Sequence, residues 1–331
     1  MTTMTPPVPP RRREHISMDQ WYAFLVIIPA ILAIGVFVYG FIGWSVMVSL
    51  TDRNNLNLSQ PAPFVGLENY YDVFRTARFQ TNMRNLVVFT GLFLGSSLFM
   101  GLTLALMVDA RIKAESFFRS VYIFPMALSF IVTGVVWQWM FAPGNWQNGD
   151  PTGLNLLFNK LGLSFLMRGW TADNAVVPSW SIEGLKTKIG IPSAMIPVVI
   201  AAVWQMSGYV MAMYLAGLRG IPDELREAAR VDGATEWQLF RFITLPMLQP
   251  ITLSAVIVLG HISLKIFDLV AVMTGGAPGN NTEIPGLYMY EITFKANKFS
   301  QGAAVATVML IIVALLVVPY LRYSRAQEVE R

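Results

Sequence analysis

Ile221-Pro222-Asp223-Glu224-Leu225-Arg226-Glu227-Ala228-Ala229-Arg230-Val231-Asp232-Gly233, followed by Ala234-Thr235-Glu236-Trp237-Gln238-Leu239-Phe240-Arg241-Phe242-Ile243-Thr244-Leu245-Pro246, forms most of a charged island from Gly220 to Pro250 set between two long apolar stretches. Pro222 stands where a helix can begin, and Asp223 and Glu224 follow in the first turn, where free N–H groups and the positive dipole end favour acids. That helix ends at Gly233, since glycine adopts the left-handed conformation that closes helices at little cost. Thr235 and Gln238 have the spacing of a capping box, which predicts a second helix with Trp237, Phe240 and Ile243 on its apolar face. Leu245-Pro246 is expected to stop it, because proline disfavours a helical predecessor. The island therefore reads as a short helix, a glycine bend and another short helix.

Outside the island the chain reads as membrane. Of 331 residues, 54% are hydrophobic and only 13% charged, and the mean hydropathy is +0.51. Such a composition makes length a count of helices rather than of domains. The run Trp21–Leu50 is too long for a signal-peptide core and lacks a small-residue cleavage site, so it is expected to remain as a first span, roughly 22–50. Asn85–Val108, Phe118–Phe141, Ser193–Leu218, Ile251–Met273 and Gly302–Leu321 each reach the about 20 residues needed to cross the hydrocarbon layer. The expected fold is an all-α membrane protein with six transmembrane helices in one domain over residues 21–325. A disordered tail over residues 1–20 precedes it, and a short tail over residues 326–331 follows.

Arginine placement sets the orientation. Arg11, Arg12, Arg13, Arg111, Lys113, Arg119, Arg219, Arg226, Arg230, Arg241, Arg322, Arg325 and Arg331 fall on one side in short segments near helix ends, which marks that side as cytoplasmic. Both termini and the 219–250 loop then lie inside. The opposite loops carry nearly balanced charge. Among them, Asn54–Phe79 is expected to hold an interfacial helix. Pro143–Pro192, with Trp146, Trp170 and Trp180, reads as a docking surface or as aromatic anchoring at the lipid interface. Gly275–Asn281 reads as a tight turn after the fifth span.

Glu227-Ala228-Ala229, three residues, Gly233, nine residues, Ile243, one residue and Leu245-Pro246 resembles, without a gap, the EAA signature of binding-protein-dependent ABC importer permeases. Asp232-Gly233-Ala234 and Ile221-Pro222-Asp223 are similar to its carbohydrate-uptake branch, in particular to the larger membrane subunit of maltose-type importers. The resemblance implies a type I ABC importer permease fold with a cytoplasmic coupling-helix loop at 219–250. In it Glu227, Ala228, Ala229, Asp232, Gly233, Ile243, Leu245 and Pro246 form the contact to an ATPase. It also implies the partners: a second homologous permease subunit, two ATPase subunits carrying ATP and Mg, an extracytoplasmic sugar-binding protein, and a sugar. The location implied is the cytoplasmic (inner) membrane of a prokaryote.

The residues themselves narrow the chemistry. No phosphate-cradling Gly-x-x-x-x-Gly-Lys-Ser/Thr occurs, so ATP hydrolysis is expected on another chain, and no cofactor is expected on this one. With no cysteine and only His15 and His261, neither a thiolate or histidine-rich metal site nor a metalloprotease helix can be built. His261 and Ser263 point in different directions around a helix, which leaves no catalytic residue to name. The net charge of +4 comes without an aromatic-interleaved basic patch, so nucleic-acid binding is not expected.

Two polar interruptions are candidates for a substrate path. In the fourth span, Gln205, Met206 and Tyr209 occupy positions that, by resemblance, line the sugar site; helix packing is the alternative. An aromatic ring suits the apolar face of a pyranose and an amide suits its hydroxyls. In the fifth span, His261, Lys265 and Asp268 follow at helical spacing on one stripe, which either lines the path or forms a structural Lys265–Asp268 ion pair. The adjacent face, Leu259, Ile262, Ser263 and Ile266, contributes to the sugar site by resemblance and is less polar here than in that family member. Gly91-x-x-x-Gly95 reads as a close helix contact, and Pro125, Trp137 and Trp139 as kink and interface anchors. The function expected is an ATP-driven sugar importer subunit; the alternatives are a glycerol phosphate or polyol permease of the same class and an ATP-independent secondary carrier.

Overall fold

The computed structural model describes residues 18–53, 62–110 and 113–329. The expectations for residues 1–17, Arg111 and Arg331 lie outside them, as does part of the Asn54–Phe79 reading.

A long N-terminal helix runs as α1 (Met18–Ile34), a π turn over Gly35–Gly40, and α2 (Phe41–Ser49). The interfacial helix expected before the second span is α3 (Glu68–Arg75), and α4 (Ala77–Asp109) follows as one unbroken rod. Next come α5 (Glu115–Ile123), a 3-10 turn at Phe124–Ala127, and α6 (Phe130–Met140). The long connection holds β1 (Gly144–Asn145), β2 (Asp150–Pro151), α7 (Gly153–Lys160), β3 (Val176–Ser181) and β4 (Lys188–Pro192). The central helix α8 (Met195–Arg219) leads into the island, α9 (Asp223–Val231), α10 (Glu236–Leu239) and α11 (Leu245–Met247). Then come α12 (Gln249–Leu264), α13 (Phe267–Met273), α14 (Pro285–Tyr290) and α15 (Phe299–Val329).

Among the described residues, four helices are long and apolar enough to cross a membrane, and up to six if two bent helix pairs each count as one span. The third expected span is bent by 100° between Glu115–Ala127 and Phe130–Met140. The break falls at Leu128 and Ser129, both in extended backbone, and Ser129 caps α6 by accepting from the Val132 N–H; Pro125 sits buried in the 3-10 turn that ends the first arm. The fifth expected span is broken as well, at Lys265–Ile266 between α12 and α13. The all-helical expectation is corrected in the long connection, where β1 pairs with β2 and β3 with β4, both antiparallel. Branched and aromatic residues in β3 and β4, Val176, Val177, Trp180, Ile189 and Ile191, suit a pleated ribbon better than a helix.

The core is organised around α8, most of whose apolar length is buried against α4. In a bilayer, lipid tails are as apolar as leucine, so helix association depends on close packing and small residues. A Cβ on Gly208 would collide with the Tyr122 carbonyl oxygen, and one on Gly101 would lie 2.5 Å from Val210. Gly91 and Gly95, expected at a close contact, instead meet nothing within 4 Å on α4 in this chain. The glycines that α8 needs are therefore others.

At the end of the bundle away from the island, polar side chains staple the loop before α14 to the start of α4. Glu283, 1% exposed, is paired by Arg78, which also pairs with Glu291. Asn85 donates to the Asn280 carbonyl at 2.8 Å and to that of Glu283 at 2.7 Å, and Arg84 donates to Asn281 at 2.9 Å. The turn expected at Gly275–Asn281 is formed, with Gly275, Gly276, Gly279 and Asn280 at positive φ.

Candidate functional site: a charged elbow and a broken polar helix

The island folds as its residues predict up to its last turn. The helix α9 closes in a Schellman arrangement: the Gly233 N–H donates to the Arg230 carbonyl at 3.1 Å, and the Ala234 N–H to that of Ala229 at 2.9 Å. Gly233 takes φ +81, the left-handed value this closure requires. Thr235 and Gln238 form the capping box: Gln238 Oε1 accepts from the Thr235 N–H at 2.8 Å, and Thr235 Oγ1 accepts from the Gln238 N–H at 3.3 Å. Leu245-Pro246 does not end the run. A π turn over Phe240–Thr244 carries the helix into α11, and the bend of 59° falls after Met247. The wider turn moves the carbonyl that a proline ring would strike in a regular helix.

Two sets of ionic contacts give the elbow its shape, and sequence reasoning missed both. Arg230 Nε donates to Glu236 Oε1 at 2.8 Å across the bend. That hydrogen bond, together with the charge of Arg230, holds the Glu236 carboxyl below the usual glutamate range. On the membrane side, Arg226 donates to the Leu218 carbonyl at 2.9 Å and lies 3.6 Å from Asp109. Arg219 in turn pairs with Glu115 at 2.7 Å and approaches Asp109 at 3.9 Å. The end of α4, the start of α5, the end of α8 and α9 are thus clipped together. The available signal was two acids at helix ends, Asp109 and Glu115, on a side rich in arginine.

The outward face of the elbow is both charged and apolar. Glu227, Ala228 and Asp232 are exposed, while Ala229, Ile243 and Leu245 are half-buried and Pro246 is exposed. Val231, Trp237 and Phe242 are 87%, 69% and 71% exposed, which is unusual for side chains of that size. A shallow cavity of about 310 Å³ between Asp232, Gly233, Gln238 and Phe242 completes the surface.

The polar residues of α8 and α12 are distributed differently from the sequence expectation. Gln205 is buried and donates to the Leu128 carbonyl at 2.7 Å, supplying a partner at the break between α5 and α6. Its Oε1 is buried and has no hydrogen-bond partner among the described residues. Met206 is buried and Tyr209 half-buried against the core. Leu259, Ser263 and Ile266 face into the chain's own core, with Ile262 packed against it, and Ser263 accepts from Thr90 at 3.0 Å. Trp137 packs edge-on to Trp204 at 5.7 Å, whereas Trp139 is exposed.

The stripe of His261, Lys265 and Asp268 is corrected, because the helix does not continue through it. Lys265 leaves α-helical geometry at φ −109, and the Phe267 N–H turns back to the Lys265 carbonyl at 2.7 Å. Among the described residues no ion pair joins Lys265 to Asp268. Both are exposed in this chain, and His261 is half-buried. Among the described residues no three histidine or carboxylate side chains come together in a way that could hold a metal ion.

The fold matches a chain of a bacterial ABC transporter involved in the import of the acidic polysaccharide alginate, with TM-score 0.70 and 18% identity, covering 93% of this chain and 96% of that one. Residues 88–328 match the family of binding-protein-dependent transport system inner membrane components, and the chain belongs to that family. A probable ABC transporter permease of Pyrococcus horikoshii is 42% identical over 93% of this chain and 97% of its own length. The xylose/arabinose import permease of Haloferax volcanii is 36% identical over 91% and 86%. The chain is a multi-pass membrane permease subunit and not an enzyme.

Proposed function

We propose that this chain is one of two different permease subunits of a sugar importer, fed by an external binding protein and driven by two ATPase subunits. The observation that carries the reading is the exposed elbow around Gly233, closed at both helix ends and clipped by Arg226 and Arg219 to three membrane helices. Motion of an ATPase groove holding this elbow is passed to α4, α5 and α8 together, because none of them can shift without breaking an ionic contact. Glu227, Ala228, Ala229 and Asp232 face the ATPase, and Gly233 sets the bend. The elbow lies on the cytoplasmic side, with both termini, and the Pro143–Pro192 connection lies outside.

The substrate path runs along α8 and the break in α12–α13. Non-helical backbone at membrane depth is tolerated only against protein or water, and Lys265 and Asp268, which flank the break, have no side-chain partner among the described residues. A neutral sugar is favoured by the nearly balanced outer charge and by the xylose/arabinose permease among its relatives. The exposed Lys265 favours a second reading, uptake of an anionic substrate such as glycerol phosphate.

Uptake of radiolabelled sugar by cells carrying Gly233→Pro or Glu227→Lys tests the first reading. Both variants should reach the membrane and transport nothing; wild-type transport in both would refute the coupling role. Lys265→Gln separates the substrates: loss of anion uptake, with neutral-sugar uptake at background, would overturn the sugar reading.

A further inference from the structure

The connection between α6 and α8 holds a second polar–aromatic cavity, far along α8 from the elbow. It measures about 370 Å³ and is lined by Phe158, Trp170, Arg168, Asp173, Ser193 and Ile196, among others. Its floor is a built one. Trp170 sits at φ +43, a conformation that costs free energy for a bulky residue and persists only when the surroundings impose it. The imposing residue is Asn155, which is fully buried. Its Oδ1 accepts from the Trp170 indole at 2.7 Å and from the Arg168 N–H at 3.2 Å, while its amide donates to the Arg168 carbonyl at 2.9 Å. Phe141 tilts against the indole at 5.3 Å and Phe158 at 6.3 Å. The ring is thereby fixed in place at the cavity.

The polar groups around that ring are unspent. Among the described residues, Arg168 makes no side-chain hydrogen bond or ion pair and Ser193 Oγ has no partner. Asp173 uses only Oδ1, accepting from the Ala175 N–H at 2.9 Å. A guanidinium offers donors, a carboxylate oxygen offers an acceptor and a hydroxyl offers both, and the two charges cancel. An aromatic face with donors and acceptors of zero net charge suits a neutral sugar ring. The C–H face of a bound ring would lie on the indole, with its hydroxyls toward Arg168, Asp173 and Ser193.

We infer that this cavity is a sugar subsite at the outer end of α8, which holds one neutral pyranose unit before it reaches the α8–α12 path. The inference rests on the importer reading for its side of the membrane and its sugar. Saturation-transfer NMR tests it on the assembled transporter in lipid nanodiscs, with D-xylose, L-arabinose, D-glucose and maltose as probes and D-glucuronate as the charged control. Ring protons of at least one neutral sugar should take up saturation. Arg168→Ala, a side chain without structural partners, should weaken that sugar's binding about tenfold, and Asp173→Asn should weaken it too. Trp170→Leu should abolish it.

Absence of transfer to all four neutral sugars, unchanged binding in both Arg168→Ala and Asp173→Asn, or preference for D-glucuronate would each overturn the subsite. Saturation reaching lipid headgroups in place of sugar would also do so. Uptake measured on the same wild-type preparation keeps the two readings apart: absent ATP-dependent uptake strikes the importer, whereas intact uptake with unchanged variant binding strikes the subsite alone.

Discussion

Gly208, Glu283 and Gln205 each show a residue chosen for what surrounds it. At Gly208 the backbone of α5 comes so close that any side chain meets the Tyr122 carbonyl oxygen. Gly208→Val should lower stability by roughly 2 kcal/mol through overpacking, seen as a reduced melting temperature of the detergent-solubilised protein. Gly91→Val, with open space around it in this chain, should leave the subunit's own stability unchanged. Glu283 is a buried carboxylate whose charge is met by Arg78. Removing the cation in Arg78→Ala leaves that charge uncompensated and should cost roughly 3 kcal/mol, checked by the same melting measurement. Gln205 places an amide at the Leu128 carbonyl, so Gln205→Leu should loosen the α5–α6 break, measurable as faster hydrogen exchange at residues 124–130.

At the scale of elements, the elbow acts as a unit because its contacts bridge helices rather than lie within one. Asp109 lies near both Arg226 and Arg219, so Asp109→Asn should loosen α9 from α4. The expected outcome is ATP hydrolysis retained with sugar uptake reduced, measured side by side in proteoliposomes. The Arg230–Glu236 pair adds a pH dependence. Because the folded state holds the Glu236 carboxyl below its ordinary range, its contribution is present above the ordinary glutamate pKa and lost as pH falls through the depressed value. Hydrogen exchange around residues 230–238 should therefore rise only modestly in acid below the normal glutamate range, because the pair is solvent-exposed and the Gly233 closure and the Thr235–Gln238 capping box remain. Glu236→Gln should remove that dependence.

Taken as a whole molecule, the permease spaces three features along the length of α8: the elbow lies beyond one end, the aromatic cavity at the other, and the broken polar helices between. Much of this was legible in the residues. Spans showed as apolar runs because bilayer thickness demands them, and the elbow showed through Gly233, the Thr235–Gln238 capping box and the EAA spacing, all of them local signals. What local signals could not reach was the third dimension. The stripe of His261, Lys265 and Asp268 assumed an unbroken helix, and the break at Lys265 is not written in its neighbours' propensities. Whether a glycine meets a backbone, as Gly208 does, or open space, as Gly91 does, depends on which helix lies opposite. The same holds for Arg226 finding Asp109 and for Asn155 fixing Trp170, since partners distant in sequence are chosen by packing. The sequence by itself determined a bilayer-spanning permease and the hinge chemistry of its elbow, because hydropathy, capping and turn preference act over a few residues. Tertiary structure alone decided where spans break, which charges are clipped together and which aromatic ring is left facing a cavity.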